Sequence, residues 1–329
     1  MSDWIRRPWP RFLVRRIFHG LISLFVISVL IFAATQILPG DAARAVLGRG
    51  ANAESVLHLQ QQLGLDKPVI EQYLLWLGRV MHGDLGQSAV GIATKSSRPV
   101  SAIVSGPLGN SIILASITTA LMIPLGLLLG VISGLKANKH IDHAISVCTQ
   151  TFVAVPEFVT GSLLIVLFGV IWHMLPATST IGPGQKALDA PSILVLPVAT
   201  LLAVTMAHIV RMVRASVITV LATDYIRTAE LAQLSRSRIL WSYVLPNALA
   251  PAVQVIAQSA QYLVGGIIVV EAVFAYPGLG TALVGAVSAR DIPTVQAISL
   301  MIAAFYIVLN LIADVAVTLL IPKARSVPS

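Results

Sequence analysis

The sequence predicts an all-α integral membrane protein with six transmembrane helices, both termini cytoplasmic, an outer helical insertion and a cytoplasmic helical loop. Three observations carry that prediction. First, 56% of the 329 residues are hydrophobic and only 11% are charged, where a soluble domain carries about a quarter charged residues. Second, the apolar residues fall into long uncharged runs of the length a helix needs to cross a bilayer. Third, Lys and Arg crowd one set of connecting segments: with the N-terminus inside, inner segments hold fourteen and the short outer loops hold two. That asymmetry is the positive-inside pattern, which sets orientation most strongly in short segments close to the spans.

The elements follow in order, with spans expected at 13–38, 109–135, 144–174, 193–213, 252–272 and 296–321. Arg6, Arg7, Arg11, Arg15 and Arg16 precede an apolar run from Ile17 to Leu38. A cleavable signal has an apolar region of only about 7–15 residues, so this run reads as a retained first span. The hydrophilic stretch 39–108 reads as an outer folded element. In it Ala53 to Leu63 forms a helix stopped at Gly64, since glycine tolerates the left-handed cap. Pro68 suits the first position of a second helix, in which Val69, Ile70, Tyr73, Leu74, Leu77 and Val80 recur at helical spacing. Gly83-Asp84-Leu85-Gly86 ends it. In span two, Gly126, Gly130 and Gly134 lie four apart, which lets helices approach closely in lipid.

The inner stretch 214–251 is too long for a plain hairpin. Thr223 and Asp224 offer a helix cap, with Ala229, Leu231, Ala232 and Leu234 behind them. Ser235 caps a second short helix through Tyr243, and Pro246 and Pro251 punctuate the approach to span five. Two short helices between two spans make a knob that invites a partner. The domain scheme is therefore 1–38, 39–108, a five-helix core 109–322 containing the loop 214–251, and a tail 323–329.

Several chemistries are not supported. No G-x-x-x-x-G-K-[ST] loop, H-E-x-x-H pair or G-x-S-x-G elbow occurs, so neither a nucleotide, a metal nor a hydrolase centre is expected on this chain. His173, beside Trp172 at the outer end of span three, has no catalytic partners. The net charge of +8 sits in loops beside spans and reads as topology, not as a nucleic-acid surface. The single cysteine, Cys148, reads as a small buried hydrophobe. Ionisable groups inside spans are rare and costly in lipid; Glu157, Glu271 and Asp314 are the acids concerned. For Glu157, just after Pro156, two readings stay open. It faces a wet path and contacts a cationic or amine-bearing solute, or it is hydrogen-bonded to a neighbouring helix where Pro156 frees backbone groups.

Several segments together resemble a known family. They are Asp224-Tyr225-Ile226-Arg227-Thr228-Ala229 with Leu245-Pro246-Asn247-Ala248; Leu38-Pro39-Gly40-Asp41; Leu63 to Pro68 with Gln72-Tyr73 and Gly83 to Gly86; and Glu271 to Gly280 with Arg290-Asp291-Ile292-Pro293. Over nearly the whole chain they resemble the permeases of binding-protein-dependent ABC importers, in the branch serving dipeptides, oligopeptides and nickel. The long outer insertion matches the B-type member of the pair. The resemblance implies an inner-membrane subunit that pairs with a C-type permease and meets membrane lipid. It also implies two docked ATPase subunits, which carry ATP and magnesium, and no nucleic acid. The inner knob becomes a coupling helix, with Asp224, Tyr225, Arg227, Thr228, Ala229, Gln233 and Ser235 as coupling residues. An extracytoplasmic solute-binding protein would meet 39–108 at Asp66, Lys67 and Asp84. Gln233 departs from the family, which usually has glycine there, so either the chain turns at some strain or the helix runs on. Cargo stays open among peptides, nickel chelates, glutathione, opines and haem. The rival readings are a stand-alone secondary transporter or channel, expected to show inverted repeats, and a membrane-embedded enzyme, expected to show a clustered catalytic set.

Overall fold

A computed structural model describes residues 9–37, 42–48, 52–96, 98–182 and 185–320. Arg6, Arg7, the Leu38-Pro39-Gly40-Asp41 motif and the tail with Lys323 and Arg325 lie outside the described residues. The helices are α1 (Trp9–Ile37), α2 (Ala42–Leu47), α3 (Ala53–Leu63), α4 (Val69–Met81), α5 (Ala89–Ala93), α6 (Val100–Leu135), α7 (His140–Ala154) and α8 (Glu157–Leu164), the last continued by a π-helical turn Ile165–Ile171. After them come α9 (Ser192–Leu221), α10 (Asp224–Leu231), α11 (Arg236–Ile239), a π-helical turn Leu240–Val244, α12 (Leu245–Leu249), α13 (Ala252–Val273), α14 (Leu279–Ser288) and α15 (Ile292–Leu320). Among the described residues five helices are long and apolar enough to cross a membrane: α1, α6, α9, α13 and α15. The bent pair α7–α8 makes a sixth if it counts as one span.

That bend corrects the expected continuous span 144–174. The chain turns by 111° between Ala154 and Glu157. The cause is Pro156, which has no N–H to donate and pushes the residue before it out of the helical region. Val155 accordingly sits at φ −105, ψ 128. Two other boundaries move. Helix α6 starts at Val100, not near 109, because Val100 and Val104 pack on Leu279, Ala297 and Ile298. Helix α9 runs on to Leu221, well past 213, since Val217 and Val220 join the core. Helix α14 was not expected. Cys148 is exposed on α7, not buried in protein: the outward face of a membrane helix is as apolar as a core, so composition does not separate the two.

The chain folds as two compact units, Met1–Ser111 with Pro277–Leu311, and Ile112–Tyr276 with Ile312–Ser329. In the first, the described part of 39–108 is a folded element. Asn52 caps α3 by accepting the Ser55 N–H at 2.8 Å, and Gly64 ends it in the left-handed region at φ 70. Helix α4 lies on α1 through an aromatic cluster, with Phe32 edge-on to Tyr73 at 5.3 Å and Trp76 beside both. The Tyr73 hydroxyl is 2.9 Å from that of Ser28, and Gln36 donates to Gln72 at 2.9 Å. The buried centre of α4 is Trp76, with Tyr73, Leu77 and Val80 packed beside it, whereas Val69, Ile70 and Leu74 are exposed: the helical period was right, and three of the six expected residues face inward. Asp291, buried just before α15, accepts from the Ser88 hydroxyl, the Ala89 N–H and the Thr294 hydroxyl. One carboxylate thus pins the start of α5 to the start of α15.

In the second unit α9 is the central helix. Two-thirds of its apolar window (67%) is buried, against 28% for α13. Pro197 lies inside α9, so the carbonyl of Ile193 loses its normal donor. The buried Ser179 hydroxyl supplies one at 2.6 Å. The glycine stripe of α6 faces α9: a Cβ on Gly130 would fall 2.6 Å from Val213 Cβ, and one on Gly134 2.7 Å from Val217 Cβ. Gly130→Ala therefore forces the helices apart and lowers the stability of the purified chain by about 1–3 kcal/mol, the usual range for overpacking. Unfolding in detergent checks this, with Gly109→Ala, whose added Cβ would meet nothing within 4 Å, as the unchanged control.

Candidate functional site

The loop 214–251 is built by the end of α9, then α10, α11, the π-helical turn and α12, which share a core cluster with α9. Helix α10 is eight residues long and two-faced. Ile226 and Ala229, three apart, point into a core cluster with Val217, Val220, Ile239, Val244 and Ala248. At 100° per residue the opposite face carries Asp224, Arg227, Thr228 and Leu231. All four are exposed, and Leu231 reaches 78%. Tyr225 flanks that face and is also exposed. Leu231 is thus the one apolar side chain on a face otherwise made of Asp224, Arg227 and Thr228.

Both ends of α10 have a physical cause. At its start Thr223 does not cap with its side chain; its hydroxyl donates to the Val220 carbonyl at 2.6 Å. At its end Gln233 adopts φ 57. The Gln233 N–H donates to Glu230 at 2.9 Å and the Leu234 N–H to Ala229 at 3.2 Å, the paired bonds of a Schellman cap. So the helix stops and Gln233 turns, taking the left-handed geometry that glycine fills at no steric cost. Gln233→Gly relieves about 1 kcal/mol of that strain, read as a higher melting temperature of the purified chain. Ser235 then caps α11, accepting the Arg238 N–H at 3.4 Å. The second helix does not stop at Tyr243. It runs on through the π-helical turn into α12, with Pro246 in the first turn of α12.

A buried ion pair lies on the same framework. Asp142, 1% exposed, accepts Arg214 Nε at 2.6 Å and Arg214 Nη2 at 2.8 Å. This is the two-pronged fork that guanidinium and carboxylate form. The Ser133 hydroxyl and the Asn138 N–H donate to the same carboxylate, the latter at 2.8 Å. One acid therefore ties the α6–α7 turn to α9, two turns before α9 hands over to α10. Sequence reasoning missed it. An acid in the first turn of a helix is ordinary dipole compensation, and nothing local shows that its partner is 72 positions away.

Glu157 opens α8 immediately after the Pro156 break. It accepts the Tyr262 hydroxyl at 2.6 Å and lies over Gly266, one turn further along α13. Tyr262 is thus a hydrogen-bond partner of Glu157 on a neighbouring helix. In the 39–108 segment, Asp66 and Lys67 are exposed in the turn before α4, and Lys67 pairs with Glu71 at 2.7 Å. Asp84 is exposed beyond the other end of α4 and accepts the Gly86 N–H at 2.9 Å. Thirteen helical residues separate the two sites, about 20 Å at 1.5 Å per residue, so the three are not one cluster.

Residues 126–326 match the family model of the binding-protein-dependent transport system inner membrane component, and residues 10–103 match that family's N-terminal component. The chain belongs to this family. The permease is 31% identical over 314 residues to a probable peptide ABC transporter permease of Sinorhizobium fredii, covering 95% of this chain and 99% of the relative. It is 31% identical over 313 residues to a putative peptide transport system permease of Brucella abortus, covering 95% and 98%. It is 33% identical over 314 residues to the glutathione transport system permease GsiC of Escherichia coli K12, again covering 95% and 98%. The permease is thus a multi-pass inner-membrane subunit of an ABC transporter, in a family of non-catalytic membrane components.

Proposed function

We propose that this permease imports short peptides with energy from ATP hydrolysed elsewhere, and that α10 is where that energy enters. The observation that carries this is the two-faced geometry of α10: Ile226 and Ala229 lock it to its own core while Leu231, Arg227, Thr228 and Asp224 stand free. A short helix offering one apolar residue within a polar face fits a groove on a partner. Two ATPase subunits, holding ATP and magnesium, would dock there and on the corresponding knob of a C-type permease. Closure of the ATPase pair would swing the knobs and alternate access to the path. In this reading the permease has six spans with both termini in the cytoplasm, the bent α7–α8 pair forming the third, and 39–108 faces the solute-binding protein. The domain scheme 1–38, 39–108, 109–322 and 323–329 goes with that topology. The relatives' names, peptide and glutathione, support a peptide cargo.

Glu157 is assigned a structural role, joining α8 to α13 through Tyr262. Glu157→Gln, which still accepts that hydroxyl, leaves cargo affinity and transport unchanged; a selective loss of cationic cargo would instead place Glu157 on the path. The function is tested by purifying the tagged permease from its native membrane and reconstituting what comes with it. An ATPase and a second permease should co-purify, and uptake of a labelled tripeptide should need ATP and the binding protein. Uptake by the chain alone without nucleotide would establish a secondary transporter instead.

A further inference from the structure

The first unit holds a cleft of 610 Å³ between the end of α1, the outer insertion and the start of α15. Its size lies within the range of about 300–1,000 Å³ typical of small-molecule sites. Three features give it a chemical character. Phe32 and Trp76 line an apolar wall. Trp76 is only 7% exposed, yet its indole N–H makes no hydrogen bond among the described residues. The buried unpaired side-chain atoms among the described residues are the hydroxyls of Thr118 and Thr160, so the indole N–H keeps access to solvent, where an acceptor can meet it. Arg79 and Arg290 bring two guanidinium groups to the lining, against one carboxylate, Asp84. One Asp84 oxygen is already engaged by the Gly86 N–H, and Arg79 has no carboxylate partner among the described residues.

A cleft that offers an indole N–H and guanidinium donors beside an aromatic wall suits a small anion carrying an apolar body. We infer that it binds the C-terminal carboxylate of a short peptide, giving the permease a ligand site of its own on the outer insertion. The carboxylate would meet Arg79 and the Trp76 N–H, and the peptide's side chains would lie along Phe32 and the Trp76 ring. The inference rests on the peptide-import reading for the identity of the ligand, and on the cleft alone for its charge and size.

The test uses the full-length chain in phosphatidylcholine nanodiscs, which present no anionic headgroup, without binding protein. Trialanine and trialanine amide are titrated by calorimetry. Trialanine should bind saturably and the amide about tenfold more weakly or less, the loss expected when a charge-assisted hydrogen bond is removed. Arg79→Gln should weaken trialanine binding by a similar factor. Trp76→Phe, which keeps the ring packing and deletes the donor, should weaken it severalfold at an unchanged melting temperature. Equal binding of acid and amide, no binding by the wild-type chain, or wild-type affinity in Arg79→Gln would each overturn the site. Peptide uptake by the assembled importer is measured alongside. Uptake without cleft binding sinks the site alone. Acid-selective binding without any peptide uptake sinks the import reading and leaves the carboxylate site standing.

Discussion

Arg214→Ala lowers the stability of the purified permease by about 1–3 kcal/mol, the cost of stranding a buried acceptor whose partner side chain is itself 30% exposed. The stranded group is Asp142, which is 1% exposed and would keep only its bonds to Ser133, Asn138 and, weakly, Ser146. Arg214→Lys keeps the charge but cannot reproduce the two-pronged contact, so its loss is smaller. Removing both charges, Asp142→Asn with Arg214→Met, recovers much of the loss, because an absent pair costs less than a broken one. Equilibrium unfolding in detergent reads all three. A single-variant loss below about 0.5 kcal/mol, the usual range for surface substitutions, would show the pair to be idle.

Leu231→Asp should abolish coupling while leaving the fold intact. Leu231 stands opposite the anchored face of α10 and touches little of its own chain, so the substitution costs the isolated permease almost nothing. At a docked helix the same change buries an unpaired charge, and transport falls by about tenfold or more. ATP hydrolysis by the complex then no longer follows cargo. Ala229→Leu makes the contrast. Ala229 is 6% exposed, inside the core with Val217, Val244 and Ala248, so the larger side chain unsettles the knob before any partner arrives. Its signature is a lower melting temperature of the chain alone, which Leu231→Asp does not share.

Much of this was legible in the sequence, for identifiable reasons. Composition and apolar run length give the spans because lipid leaves a helix no other way to satisfy its backbone. The Gly126–Gly130–Gly134 stripe, the Gly64 stop and the Ser235 cap were readable because each is a local backbone requirement. What failed was long-range or two-valued. The period of α4 was right, but Trp76 had to be seen against Phe32 to set its face. The 111° turn at Pro156 was hidden because proline is tolerated inside spans, as Pro197 is in α9, where Ser179 serves the freed carbonyl. Of the residues proposed for coupling, Asp224, Tyr225, Arg227 and Thr228 are exposed, whereas Ala229 faces the protein's own core. Leu231, apolar like Ala229, is 78% exposed on the opposite face. A motif identifies a helix; only the packing of its neighbours tells which side is free.

Cysteine cross-linking in the assembled importer tests the docking of α10 most directly. In a Cys148→Ser background, Leu231→Cys should join an ATPase subunit through a short bismaleimide, and Ala229→Cys should not. A fully active importer in which residue 231 reacts only with solvent, or in which residue 229 forms the link, would contradict the assignment of the free face.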